Sequence, residues 1–234
     1  MLLLTIISFA IALVACGNKT TDQGTKEETD IQPAEGATNQ EIEINDDEKV
    51  NEDKVVAQIN DIEVTGEVYN LIYVQMKIQL NQLGYDINDL DQVKEYAINR
   101  LINQEMIKQD AERIGITVSD EEVTSEFELF KSENEDQFQT FLDTYHLTEQ
   151  TFREQLFFEI MHDKYIESEL PTIEITDEEV ETIYNEIKEE NQEIAELEEV
   201  EEQLKRELRD RKGQEDLQDK LDELKKQATI DTYI

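Results

Sequence analysis

Reactive chemistry in this 234-residue sequence rests on one thiol, two imidazoles and 59 carboxylates. Cys16 is the only cysteine and ends an uncharged apolar run, residues 2–14, in the string Leu13-Val14-Ala15-Cys16-Gly17. A lone thiol makes no internal disulfide, so it is read as a site of modification. His146 follows Tyr145 at an expected helix end, and His162 lies between Met161 and Asp163. A metal centre needs three or four converging ligands, so both are read as half-packed or exposed side chains, and no metal or cofactor is expected. No Ser or Thr stands in a nucleophile elbow, and no Gly-rich phosphate loop is present. Asp86-Ile87-Asn88-Asp89-Leu90-Asp91 briefly resembles a calcium loop but lacks the glycine and closing glutamate of an EF-hand. The expectation is a protein that binds rather than an enzyme.

The candidates for binding are apolar. Tyr69, Tyr73, Met76, Phe127, Phe130, Phe157, Phe158 and Met161 are the side chains that would line a surface holding unfolded segments, because flexible Met- and aromatic-rich surfaces suit promiscuous contact. Helical spacing puts Phe127 with Phe130 on one face and Phe138 with Phe141 on another. Phe157 and Phe158 cannot both point inward from one helix, so at least one belongs in a groove or on the surface.

Charge narrows the partners. With 21 basic residues against the 59 acidic ones, the net charge is -38. Nucleic acid is excluded, since binding it requires Lys and Arg to displace counterions from phosphate. Anionic lipid headgroups are excluded for the same reason. The absence of Trp, the two prolines and the abundance of Glu, Gln, Lys and Leu favour helix over sheet. A hydrophobic content of 38% is enough for one core in the part that folds.

Those residues must be positioned by elements that the sequence also announces. Residues 2–14 suit a secretory h-region but are too few to cross a bilayer, which takes roughly 20 apolar residues. Residues 1–16 are therefore expected to be a cleaved signal. Residues 17–53 are rich in Thr, Glu, Asp, Asn and Gln with no apolar period, and read as a disordered acidic tether. Its random-coil span would be about 35 Å. A folded domain is expected over 54–234, with a helical body at 54–190 and a returning stretch at 193–234.

Val55-Val56-Ala57-Gln58-Ile59 and Ile62-Glu63-Val64 flank Asn60-Asp61 and predict a tight hairpin. A helix follows from Gly66, with Val68, Ile72, Met76 and Leu80 in a stripe and Gly84 as its stop. Val93, Ala97, Leu101, Ile102, Met106, Ile107 and Ala111 predict a second helix, capped by Gly115. Ser119 with Glu122, and Thr176 with Glu179, have the spacing of capping boxes, stapled by Val118/Val123 and Ile175/Val180. Leu147-Thr148 opens a further helix that must stop at Pro171. Five helices are expected before residue 190. Leu197, Val200, Leu204 and Leu208, then Leu217, Leu221 and Leu224, predict one long helix, interrupted in its stripe by Gly213. The alternation of 228–234 predicts a strand that pairs with Val55–Ile59.

Two resemblances add to this reading. The small residues before Cys16 resemble the lipobox of bacterial lipoproteins, in which the cysteine is acylated, in part by palmitate, and becomes the mature N-terminus. Such chains anchor at about 0.8 kcal/mol per buried methylene, and two suffice. The hairpin 55–64, the run Leu101-Ile102-Asn103-Gln104-Glu105-Met106-Ile107, Gly115 to Val123, Phe152 and Pro171 together look like the N-terminal domain of SurA- and PrsA-type extracytoplasmic chaperones. The stretch 200–234 is similar to the long helix and final strand by which those proteins return. The resemblance implies a mainly α, SurA N-terminal-like fold with a small β pairing. It also implies an ATP-independent holdase or folding helper for exported proteins, lipid-anchored on the outer face of the cytoplasmic membrane of a Gram-positive cell. In PrsA-like foldases a parvulin prolyl-isomerase domain lies between the two stretches; here Glu189-Glu190-Asn191-Gln192-Glu193 leads straight into the last helix. The alternative is a structural envelope lipoprotein whose long helix pairs with a partner or a second copy as a coiled coil.

Overall fold

In the computed structural model, residues 42–170, 172–190 and 194–234 are described. The expected signal, Cys16, residues 17–41 of the tether and Pro171 lie outside them. The described chain forms seven α-helices and one three-stranded sheet, and falls into two units.

The larger unit holds residues 42–170 and Asp219–Ile234. Its sheet starts with the expected hairpin, β1 (Val55–Ile59) against β2 (Ile62–Thr65), turned by Asn60 in the left-handed region at φ 56°. Asn tolerates that conformation better than other side chains that carry a Cβ. Two residues of β1 oppose one of β2 between Val55 and Ala57. This bulge lets neighbours Val56 and Ala57 both face the core, which strict alternation would forbid. The third strand, β3 (Ile230–Thr232), pairs antiparallel with β1, Ala57 opposite Thr232 and Ile59 opposite Ile230. The sheet order is therefore β2-β1-β3, as the alternation of 228–234 predicts.

Thr65 leads directly into α1 (Gly66–Gln82). The chain entering from residue 43 runs antiparallel along that helix, from Lys77 to Asn70, and a Cβ on Gly66 would lie 2.1 Å from the Asn51 carbonyl oxygen, so only glycine fits. Next come α2 (Leu90–Ile114), α3 (Asp120–Glu133), α4 (Phe138–Thr144) and α5 (Glu149–Glu169). Their ends follow local chemistry. The Asp89 carboxylate accepts the Gln92 amide at the start of α2, and Gly115 closes it at φ 86°. Ser119 and Glu122 make the expected reciprocal box at α3, and Thr148 with Thr151 makes one at α5.

The core of this unit has an aromatic centre. Phe127, Phe138 and Phe152 pack with Val123, Leu142, Leu147 and Leu156, and Phe130 and Phe141 close over them. Ring centroids lie 4.9 to 6.3 Å apart in tilted and edge-on pairs, the arrangement preferred by ring quadrupoles. The Arg153 guanidinium caps the Phe127 ring at 3.7 Å. The short α4 makes six helices before residue 190, not the five expected. Its first residue follows Gln137, which makes no side-chain cap, and two turns are too few for a periodic signature.

The smaller unit is a helical hairpin within Thr172–Gln218. It comprises α6 (Asp177–Glu190) and the first turns of α7 (Leu197–Gln227), whose last turns belong to the larger unit. Val180 and Tyr184 meet Leu204 and Leu208, with Ile175, Ile183, Ile187, Leu197 and Val200 around them. Thr176 and Glu179 form the expected box, and Lys212 reaches Glu179 at 2.6 Å. Gly213 sits where an added Cβ would press on Ile173 at 3.3 Å, so its gap in the leucine stripe leaves room for the extended segment that leads into α6.

Within the segment expected to be tether, residues 42–53 are mostly exposed but bond to α1 at Glu43, Glu48 and Val50. A 3-10 turn at Asp46–Glu48 buries Glu48 beneath α1. Among the described residues, no helix is long and apolar enough to cross a membrane.

Candidate functional site

The eight nominated apolar side chains separate by burial. Tyr69, Tyr73 and Met76 on α1 are fully buried, as are Phe127 on α3 and Met161 on α5. They belong to the core and offer no surface, which corrects their nomination. Phe130 is half-buried inside the ring cluster, 5.0 Å from Phe152. Only Phe157 is well exposed, at 40%. Phe158 is half-buried and stacks on His162, ring centroids 5.9 Å apart. The adjacent pair therefore divides as helical geometry demands, with Phe157 the outward member. Other large apolar side chains on the surface are Ile62, Val68, Leu83, Tyr85, Leu129, Tyr233 and Ile234.

Sequence reasoning missed the buried polar groups. Glu48 accepts the Tyr73 hydroxyl at 2.8 Å and pairs with Lys77 at 2.5 Å. Lys77 also donates to the Glu43 carbonyl at 3.1 Å, and the Asn70 amide clasps Val50 through both its N–H and its C=O. Burial opposes ionisation of Glu48, but Lys77, the Asn45 amide and Tyr73 outweigh it and hold the carboxyl down at about 2. Burial and the neighbouring Glu48 carboxylate push the Tyr73 hydroxyl up. Burial alone raises Tyr69 to about 12. The signal lay in the position of Lys77, flanked by Met76 and Ile78 and one turn beyond Tyr73.

A second polar set lies where α2 packs on α5. Tyr165 donates to Asp110 at 2.7 Å, Arg113 donates to the same carboxylate at 2.7 Å, and Lys220 stands 3.6 Å away while pairing with Glu169 at 2.8 Å. Burial penalises the Asp110 charge, yet Tyr165, Arg113 and Lys220 keep the carboxyl below the usual range. This network ties the last turns of α7 to α2 and α5. Elsewhere on these helices burial lowers the Arg100 guanidinium of α2 and raises the Glu159 carboxyl of α5 to about 7, while the two attract each other. Arg100 donates to Gln79 of α1 at 2.9 Å.

His146 is exposed at φ 52° after α4, and burial lowers the His162 imidazole. Among the described residues, no group of three His, Cys, Asp or Glu converges as metal ligands. The linker from α6 to α7 spans six residues, 191–196, leaving no room for a further domain between them.

The family model described as "SurA-like N-terminal domain" matches residues 36–166, more than half of the chain and nearly all of the larger unit. The chain belongs to the family of SurA-like N-terminal domains. Its match begins ahead of the hairpin, in agreement with the packing of Glu48 under α1. A relative is the "foldase protein PrsA" of Caldanaerobacter subterraneus subsp. tengcongensis, 30% identical over 146 residues. That alignment covers 58% of this chain and 43% of the relative, so the chain spans less than half of that foldase. No parvulin domain is detected in the 234 residues of this SurA-like protein.

Proposed function

We propose that this SurA-like protein is an ATP-independent holdase for exported chains, carried on the outer face of the cytoplasmic membrane by lipid on Cys16. The observation that carries the reading is the family domain itself, matched over residues 36–166, with α6 and α7 following it across a six-residue linker. The short linker between α6 and α7 supports a reading in which the work is client binding rather than prolyl isomerisation. Phe157 and the half-buried Phe158 are the proposed contact side chains on α5, supported by the exposure of Phe157 beside an otherwise closed core. The acidic surface keeps the protein soluble and disfavours anionic partners. A Gram-positive envelope is suggested by the kinship with a PrsA foldase.

Two assays test it. Replacing Cys16 with Ala should release the protein from membranes; a variant that stays membrane-bound contradicts the anchor. A tetrapeptide proline-isomerisation assay should show no turnover above buffer; turnover contradicts the non-catalytic reading.

A further inference from the structure

Residues 43–50 are held to α1 as a peptide is held in a binding site. Asn70, Tyr73 and Lys77, spaced by three and four and so on one face of the helix, make the hydrogen bonds between them. Asn70 accepts the Val50 amide at 2.9 Å and donates to the Val50 carbonyl at 2.7 Å, and Lys77 donates to the Glu43 carbonyl at 3.1 Å. These bonds go to the backbone and select no side chain. Glu48 alone is read by its side chain. Asn45 donates to Glu48 Oε1 from its amide and from its side chain, at 3.0 Å each, across the turn at Asp46–Glu48. That turn presents Oε2 to the Tyr73 hydroxyl at 2.8 Å and to the Lys77 ammonium at 2.5 Å, the strong, charge-assisted part of the set.

The rest of the larger unit is built without this segment. The sheet begins at Val55, and the aromatic core is made by α3, α4 and α5. Ile42, Ile44 and Val50 are half-buried, and Glu48 is the one buried residue in 42–50. The Lys54 and Glu52 carbonyls accept the Gly66 and Glu67 amides at 2.8 and 3.1 Å, so the chain stays pinned at the start of α1 when residues 43–50 lift. Both polar partners of the Lys77 ammonium lie in the segment, so lifting it uncovers that charge rather than stranding it in the core.

We propose that the α1 face of Asn70, Tyr73 and Lys77 is a peptide-binding site, filled within the chain by residues 43–50, and that it takes from outside an extended segment with a turn-presented carboxylate two residues before a free backbone N–H and C=O pair. A segment tethered this closely competes at an effective concentration on the order of millimolar or more, so an outside peptide enters only as the segment leaves. Under the holdase reading the occupant is a stretch of client; only that identification rests on it.

The test uses the full chain in detergent micelles and a fluorescent peptide of the sequence of residues 42–50. Glu48→Ala with Val50→Pro removes the carboxylate and the clasped N–H from the segment and leaves the α1 face intact. This variant should keep its helical circular dichroism and bind the peptide at least about tenfold tighter than wild type does, and the same peptide carrying Glu48→Gln should bind about tenfold more weakly. Adding Asn70→Ala to the variant should abolish binding. A folded variant that binds the peptide no better than wild type, or binds the Gln peptide equally, overturns the proposal; so does loss of the helical signal, which would make residues 43–50 part of the fold. In the wild type, the Lys49 and Val50 amides should exchange at least about tenfold faster than amides near Ile107 of α2, through local opening, and exchange only by global unfolding overturns the proposal whatever the variant does. No readout measures aggregation, so a failed peptide leaves the holdase reading standing, and a failed holdase leaves the peptide site standing.

Discussion

The Tyr233 amide donates to the Val56 carbonyl at 2.9 Å, so the last residues of the chain complete the sheet begun by the first strand. Asn60 extends the same closure, its amide donating to the Thr229 carbonyl at 2.7 Å and its side chain accepting the Thr229 amide at 3.1 Å. Removing residues 229–234 should cost about 2–4 kcal/mol, from several lost hydrogen bonds and the uncovering of Ala57 and Ile59. The urea midpoint of the truncated protein measures this. A midpoint equal to that of the intact chain would show that the C-terminal strand contributes nothing to the fold.

Glu48 and Lys77 form a buried ion pair, with Tyr73 as a third member. Glu48→Ala leaves the Lys77 ammonium buried and should destabilise by about 3–5 kcal/mol. The pH dependence has a definite sign. The Glu48 carboxyl sits at about 2 in the fold against an ordinary 4.5, so its contribution is present above about pH 4.5 and is lost as pH falls toward 2. In acid titrations followed by circular dichroism, Glu48→Gln should lose that part of the acid dependence. An unchanged acid midpoint and unchanged urea stability would contradict the role assigned to this pair.

Phe152 and Phe157 sit five residues apart on α5 and should respond oppositely. Phe152→Ala opens a hole among Phe127, Phe130, Phe138 and Phe141 and should cost about 3–5 kcal/mol. Phe157→Ser removes an exposed ring, should change stability by no more than about 1 kcal/mol, and should weaken retention of an unfolded client. A Phe157→Ser protein that is equally stable and holds clients as well as wild type would remove Phe157 from the contact face.

Features set by neighbours in sequence were legible without coordinates. The boxes at Ser119/Glu122 and Thr176/Glu179, the Gly115 cap, the hairpin turn at Asn60 and the alternation of 228–234 each depend on a few consecutive residues, and each is found in the structure. Features set by tertiary surroundings were not. Helical spacing is the same for a core stripe and a surface stripe, so Tyr69, Tyr73 and Met76 were nominated for contact although they are buried. Glu48 lay in an acidic stretch with no apolar period, and only Lys77 beneath it gives that charge a reason to be buried. Helix α4 had neither a cap nor enough length to reveal itself. The buried amide atoms of Asn103 and Gln155 were not legible because these residues look, in sequence, like ordinary surface residues of two separate helices.

The account stands most directly on one measurement: light scattering of a chemically denatured model protein diluted into buffer without nucleotide, in the presence of an equimolar amount of the SurA-like chain. The account predicts that aggregation slows markedly, and that the same protein shows no proline-isomerisation turnover. Unaltered aggregation at equimolar and at several-fold excess, accompanied by a stable concentration-dependent dimer, would contradict it and favour a structural envelope lipoprotein.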